Sequence, residues 1–150
     1  MSDAVAADDP LLLDRQVCFP LYAATNLLNR LYVPVLRKLG LTYPQYLVML
    51  VLWESEPQTV GALGDRLYLD SGTLTPLLKR MEAAGFVTRM RDPDDERRVM
   101  IRLTDKGRAL RDEAVHVPET IAGGRTPDGV DELRNNVRSL VAMLAEQGKR

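Results

Sequence analysis

Residues 59–104 read TVGALGDRLYLDSGTLTPLLKRMEAAGFVTRMRDPDDERRVMIRLT, and the pattern of this stretch decides the fold. Thr59 can cap a short helix whose apolar positions are Val60, Leu63 and Leu67. Tyr68 to Asp70 form a three-residue turn. Ser71-Gly72-Thr73 then opens a second helix, with Leu74, Leu77, Leu78 and Met81 at i, i+3, i+4 and i+7. Pro76 is expected in its first turn and Gly85 at its end. Two short helices joined by such a turn make a helix-turn-helix. After Gly85 the period switches to 2: Phe86, Thr88 and Met90 alternate with Val87, Arg89 and Arg91. Val99, Ile101 and Leu103 then alternate with Arg98, Met100 and Arg102, and Asp92-Pro93-Asp94-Asp95-Glu96 between them is a turn composition. A β-hairpin with a charged tip, directly after the second helix, is a wing.

Upstream, Val17, Leu21, Ala24, Leu28, Leu31 and Val35 form one stripe of a long amphipathic helix, with Pro20 in its first turn, a kink expected at Pro34, and Gly40 at its end. Thr42 and Gln45 have capping-box spacing, so the eight residues Tyr46 to Trp53, none of them charged, are read as a buried helix rather than a strand. Downstream, Thr104 caps a helix with Gly107, Leu110, Ala114, Val117 and Ile121 on one stripe, bent or broken at Pro118. Gly123-Gly124 and Pro127-Asp128-Gly129 are loop signals. Val130, Leu133, Val137, Leu140 and Leu144 then form an a/d seam. Three apolar stripes exceed what a compact winged unit can cover, which favours an intersubunit helical bundle over packing within one chain. The expected fold is mainly α with a small β-hairpin. It is one winged helix-turn-helix domain over residues 1–150, with its reading head at about 59–104 and dimerisation helices at about 14–40 and 104–148.

The chain has 150 residues, 45% hydrophobic and 27% charged, ordinary for a globular protein. No apolar run is long enough for a membrane span, and the acidic start MSDAVAADDPLLLD is unlike a secretory signal, so a cytoplasmic protein is expected. One cysteine, Cys18, and one histidine, His116, exclude an intrachain disulfide and a Cys/His zinc site. The net charge is −1, but Asp3, Asp8, Asp9 and Asp14 carry −4 with no base among them, which leaves +3 on the rest. Charge distribution, more than net charge, governs attraction to DNA.

The second helix of the pair is expected to expose Ser71, Thr73, Thr75, Lys79 and Arg80 once its Leu/Met face is buried. Hydroxyls at a helix N-terminus suit phosphates and base edges, and hairpin arginines can reach phosphates or the minor groove. The competing reading is a winged helix used for protein contacts. Cys18 has two readings as well. A free cysteine is usually a small buried apolar group. Near a helix start, with Tyr22 at i+4 and Tyr32 two heptads on, it can also be a reactive thiol. His116 is read as a surface histidine.

These elements in this order resemble the MarR family of bacterial repressors. Cys18-Phe19-Pro20-Leu21-Tyr22, the block LTYPQYL at 41–47 and the block LYLDSGTLTPLLKRME at 67–82 are similar to its organic-hydroperoxide-resistance branch. The match spans roughly residues 14–122, and Pro20 departs from the family pattern. The resemblance implies a homodimeric regulator, not an enzyme, that binds an inverted-repeat operator in double-stranded DNA and uses no cofactor or metal. It implies that Cys18 senses peroxide, that Tyr22 and Tyr32 hydrogen-bond its thiolate, and that Tyr43 adds a third phenol from the partner subunit's side. It also implies that Ser71, Gly72, Thr73, Thr75, Lys79 and Arg80 face DNA, and that Asp95 orients an Arg97 inserted into the minor groove. Some members carry a second, resolving cysteine. This chain has none, so it resembles the one-cysteine type, whose sulfenic acid is captured by a low-molecular-weight thiol. The alternative within the family is a repressor released by non-covalent binding of a small aromatic or phenolic ligand.

Overall fold

The first apolar stripe folds as α1 (Cys18–Arg37), with Pro20 in its first turn and Pro34 accommodated inside it. The computed structural model describes residues 9–123 and 128–148; Asp3, Asp8, Gly124 and Pro127 lie outside them. At the end of α1, Gly40 adopts φ +73° and the Leu41 N–H returns to the Leu36 carbonyl at 3.1 Å, closing the last turn. The capping box then starts α2 (Tyr43–Glu54). The Gln45 N–H donates to Thr42 Oγ1 at 3.4 Å, and the Thr42 N–H donates to Gln45 Oε1 at 3.0 Å. Gln45, Tyr46, Val48, Met49, Val51 and Leu52 are buried, so α2 is the core helix its run of uncharged residues foretold.

Thr59 caps α3 (Val60–Leu67) through the Ala62 N–H at 3.0 Å. The second helix of the pair is α4 (Ser71–Ala83), which buries Leu74, Leu77, Leu78 and Met81. Asp70 is its cap, accepting from the Thr73 N–H at 2.7 Å, and this places the helix start early. Pro76 is therefore inside the helix and not in its first turn as expected; it removes the helical bond that would end on the Gly72 carbonyl.

Three antiparallel strands follow the order β1-β3-β2: β1 (Gln58–Thr59), β2 (Val87–Arg91) and β3 (Val99–Leu103). The hairpin register pairs Val87 with Leu103, Arg89 with Ile101 and Arg91 with Val99. The strand β1 was not expected, because two residues are too short to show a period; it pairs Gln58 with Ile101. Of the two alternating sets in β2, the one holding Val87 and Arg89 is inward. Phe86 is buried, but it belongs to the helix end, where its N–H returns to the Met81 carbonyl at 3.0 Å. Within the strand Val87 and Arg89 turn inward, and Met90 is 63% exposed.

Thr104 caps α5 (Asp105–Ala114) through the Gly107 N–H at 3.0 Å. A Cβ on Gly107 would meet the Phe86 carbonyl oxygen at 2.2 Å, so glycine alone allows this approach. The stripe breaks just before Pro118, and α6 (Val117–Ala122) follows. The chain divides into two compact units at Val117 and Pro118. In the second, α7 (Val130–Gln147) carries the a/d seam, and none of its residues is buried. Among the described residues no helix is long and apolar enough to cross a membrane.

Candidate nucleic-acid interface and thiol site

Burial of the Leu/Met face of α4 leaves Ser71, Gly72, Thr73, Lys79 and Arg80 exposed along one side of the helix. Thr75 is only half-buried, short of the full exposure expected of it. The start of the helix is less open than its hydroxyls suggest, because the Thr73 amide is already held by the Asp70 carboxylate. At this end the Thr73 amide is thus not open to a ligand, while the Ser71 and Thr73 side chains are exposed.

The wing presents its tip through a compact set of bonds. Arg97 donates from Nε to Asp95 Oδ1 at 3.0 Å and from Nη2 to Oδ2 at 3.3 Å, and its own N–H donates to Oδ1 at 3.1 Å. These bonds hold the Asp95 carboxyl below its ordinary value. The Arg97 side chain nevertheless remains 91% exposed. Arg91 donates to the Glu96 carbonyl at 2.7 Å, and Arg98 pairs with Asp92 at 3.6 Å. The tip is thus a braced loop with one guanidinium projecting from it.

Cys18 is the first residue of α1 and is exposed, with Tyr22 exposed one turn later. Tyr32 lies fourteen residues further along the same helix, about 21 Å at 1.5 Å per residue. There it meets Tyr43, with ring centroids 4.7 Å apart. Tyr46 completes the cluster, 6.1 Å from Tyr32 and 6.3 Å from Tyr43. Burial, reinforced by the neighbouring phenols, raises the pKa of Tyr32 and of Tyr46. One chain thus brings Tyr32 and Tyr43 together and leaves Cys18 at the opposite end of α1. Beside the cluster an open cavity of 330 Å³ is lined by Val33, Arg37, Gly40, Leu41, Thr42 and Tyr43. Among the described residues no group of three or more His, Cys, Asp or Glu side chains could hold a metal.

Residues 30–114 match the family described as "Transcriptional regulator SarA/Rot". The organic hydroperoxide resistance transcriptional regulator of Bacillus subtilis is 47% identical over 141 residues, covering 93% of this chain and 96% of the relative. The chain belongs to the MarR family of transcriptional regulators, in its organic-hydroperoxide-resistance branch. Another relative, the regulator TtmR of Methylorubrum extorquens, is 53% identical over 139 residues, 93% of this chain and 71% of TtmR. Among solved structures, reduced AbfR bound to DNA matches with a TM-score of 0.75 and 38% identity, covering 89% of this chain and 94% of AbfR, a protein of Staphylococcus epidermidis.

Within this MarR chain, sequence reasoning missed two participants. Tyr46 was hidden in the run of core residues, although its i+3 spacing from Tyr43 places both on one face of α2. Arg89, read only as one of the alternating residues of the hairpin, turns inward to Glu82. Only the strand register reveals that.

Proposed function

We propose that the protein is a homodimeric cytoplasmic repressor that binds an inverted-repeat operator through α4 and the wing. It leaves the operator when an organic hydroperoxide oxidises Cys18. One observation carries the redox reading: the chain's one cysteine stands exposed at the first residue of a twenty-residue helix, whose start no side chain caps among the described residues. Such a helix start favours an anion. The Bacillus subtilis relative, named for organic hydroperoxide resistance, supports the class of oxidant. DNA-bound AbfR supports the class of partner.

The thiolate attacks the terminal oxygen of the hydroperoxide. An S–O bond forms and the O–O bond breaks; sulfur gives up two electrons, and the organic fragment leaves as an alcohol after taking a proton. The product is a sulfenic acid. A low-molecular-weight thiol then attacks its sulfur, forming a mixed disulfide and releasing water. The chain holds no second cysteine, so this thiol comes from solution.

Tyr32 is too far along α1 to reach the sulfur of its own chain, and Tyr43, the first residue of α2, packs against Tyr32 at that far end, so their phenols serve the Cys18 of a second copy. The exposed apolar residues Leu27, Leu28 and Leu31 on α1, and Leu133 and Leu144 on α7, supply the surfaces for that pairing. On this reading the two helical segments at about 14–40 and 104–148 belong to the dimer, and 59–104 to the DNA. A bulky adduct on Cys18 displaces the partner's α1, and the two α4 helices lose the spacing that an operator's half-sites require.

The cavity beside Tyr43 favours a second reading, release by a small aromatic or phenolic ligand bound without covalent chemistry. Cys18→Ser separates the two. With an operator duplex obtained by selection from random sequences, the variant should bind like the wild type in fluorescence anisotropy and stay bound when cumene hydroperoxide and a small thiol are added. Release of C18S by hydroperoxide would remove the redox reading and leave the ligand reading in its place.

A further inference from the structure

The wing is attached to α4 by more than the chain. Glu82 stands one residue before the end of α4, and its carboxylate accepts from Arg89 twice: Oε2 from the backbone N–H at 2.9 Å and Oε1 from Nε at 3.3 Å. β2 is an edge strand, so alternate amides of it face β3 and an open edge. The Arg89 amide is one that faces away from β3, and Glu82 occupies it as a further strand would. The Arg89 side chain is 25% exposed, drawn back against the helix and away from the tip. Arg89 is also the middle residue of β2, and Asp92, where the tip begins, lies about 10 Å further on at 3.3 Å per residue. A two-stranded ribbon twists and bends easily, so a fixed point at Arg89 sets where Arg97 arrives.

We propose that Glu82 is a positioning residue that locks the wing to α4 through Arg89, so that Arg97 and the exposed side of α4 meet the same DNA in one fixed geometry. The inference rests on the DNA-binding reading above. It makes a prediction opposite in sign to simple electrostatics. Glu82 is a negative charge close to a surface that attracts phosphate, so its removal by charge alone should tighten binding. Loss of positioning should weaken it.

The test is a double-mutant cycle on the full-length protein with the selected operator duplex, read by anisotropy at one salt concentration. Arg97→Ala should weaken wild-type binding about tenfold or more. Glu82→Ala should weaken it about tenfold by itself, and adding Arg97→Ala to it should cost only about twofold more, since coupled residues are not additive. Glu82→Gln keeps an acceptor for the Arg89 amide and should stay within about twofold of wild type, although it also removes the charge. If Glu82→Ala does not fold, Glu82→Asp takes its place in the cycle: it keeps the charge and shortens the reach by about 1.5 Å. Hydrogen exchange at the Arg89 amide should speed up at least tenfold in the alanine or aspartate variant. Full additivity, tighter binding by Glu82→Ala, or an unchanged Arg89 exchange rate would each overturn the proposal while leaving the DNA reading intact. An Arg97→Ala variant that binds like wild type in the unmodified background would overturn the wing reading itself, and this proposal with it.

Discussion

Asp95 grips Arg97 by both carboxylate oxygens and by the backbone N–H, yet leaves the guanidinium side chain almost wholly in solvent. The acid orients the cation without covering it. An exposed ion pair adds little to stability, so the geometry is better explained by what the arginine must reach than by what it holds together. A guanidinium fixed in direction loses less freedom when it enters a narrow groove.

Arg97→Ala should therefore lower operator affinity by about 1–3 kcal/mol. Asp95→Ala should cost less, on the order of 1 kcal/mol, because the cation stays but its direction is lost. Arg97→Lys should not restore binding, since an ammonium cannot make the two-point contact. Anisotropy titrations at fixed salt give these values. Wild-type affinity in R97A would mean that the wing does not touch the DNA.

The distance between Cys18 and Tyr32 makes a prediction that needs two kinds of chain. A Tyr32→Phe homodimer should be oxidised more slowly than wild type, because a donor to the sulfur is missing. A heterodimer of one C18S chain and one Y32F chain holds an intact Cys18 opposite an intact Tyr32. Its remaining thiol should react at the wild-type rate in stopped-flow trapping of sulfenic acid. A heterodimer as slow as the Y32F homodimer would place the phenol within its own subunit.

Leu31 is 55% exposed on α1 of one chain, so aspartate there should change the stability of an isolated folded unit by little, within about 0.5 kcal/mol. In a dimer built on α1 the same change buries an unpaired charge in an apolar contact. Sedimentation velocity should show L31D as a monomer, with helical circular dichroism retained and operator binding lost. A folded L31D dimer would place the interface elsewhere.

Glu56 ties the loop before β1 to the end of β3 and to α5. Its carboxylate accepts from the Leu103 N–H at 2.6 Å and from Arg108 Nε at 2.8 Å. Burial works to raise its pKa, but the Arg108 and Leu103 bonds together outweigh it and the net value is lowered. A lowered folded value means that the unfolded chain takes up the proton first as the pH drops. The stabilisation is thus complete above the ordinary carboxyl value of 4.5 and is lost as pH falls through the folded value. Glu56→Gln should cost about 1–2 kcal/mol at neutral pH, and the gap to wild type should shrink below about pH 4. Denaturant midpoints across pH 3–7 test this; a gap that stays constant with pH would show that the ionised pair contributes nothing.

The helices were legible because their signals are local. Thr42 and Gln45 announce α2, Gly40 and Gly85 mark helix ends, and the Leu/Met spacing of α4 fixes its buried face. Pro76 was misplaced because Ser71-Gly72-Thr73 leaves the first helical residue open; with Asp70 taking the Thr73 amide the helix begins at Ser71, and Pro76 falls beyond the first turn. The inward turn of Arg89 was not legible, since alternation offers two faces and only the folded chain shows that the Val87 face is the buried one. The folded chain brings Tyr32 and Tyr43 together but not with Cys18. Cys18, Tyr22 and Tyr32 follow from one helical phase and Tyr43 from the family resemblance; phase puts Cys18 and Tyr32 on one side, while the fourteen residues between them already set them about 21 Å apart along the axis.

The chain holds one tryptophan, Trp53, near the end of α2, the helix that begins with Tyr43. Its indole N–H donates to the Gly107 carbonyl at 2.9 Å, across to the start of α5. That hydrogen bond makes the protein its own optical gauge. The emission wavelength of an indole follows the polarity and hydrogen bonding around it, and here a single emitter sits where the core helix meets the helix following the wing. Tilting of α2 would lengthen the bond, admit water and shift the emission to the red, without any dye, label or DNA in the cuvette.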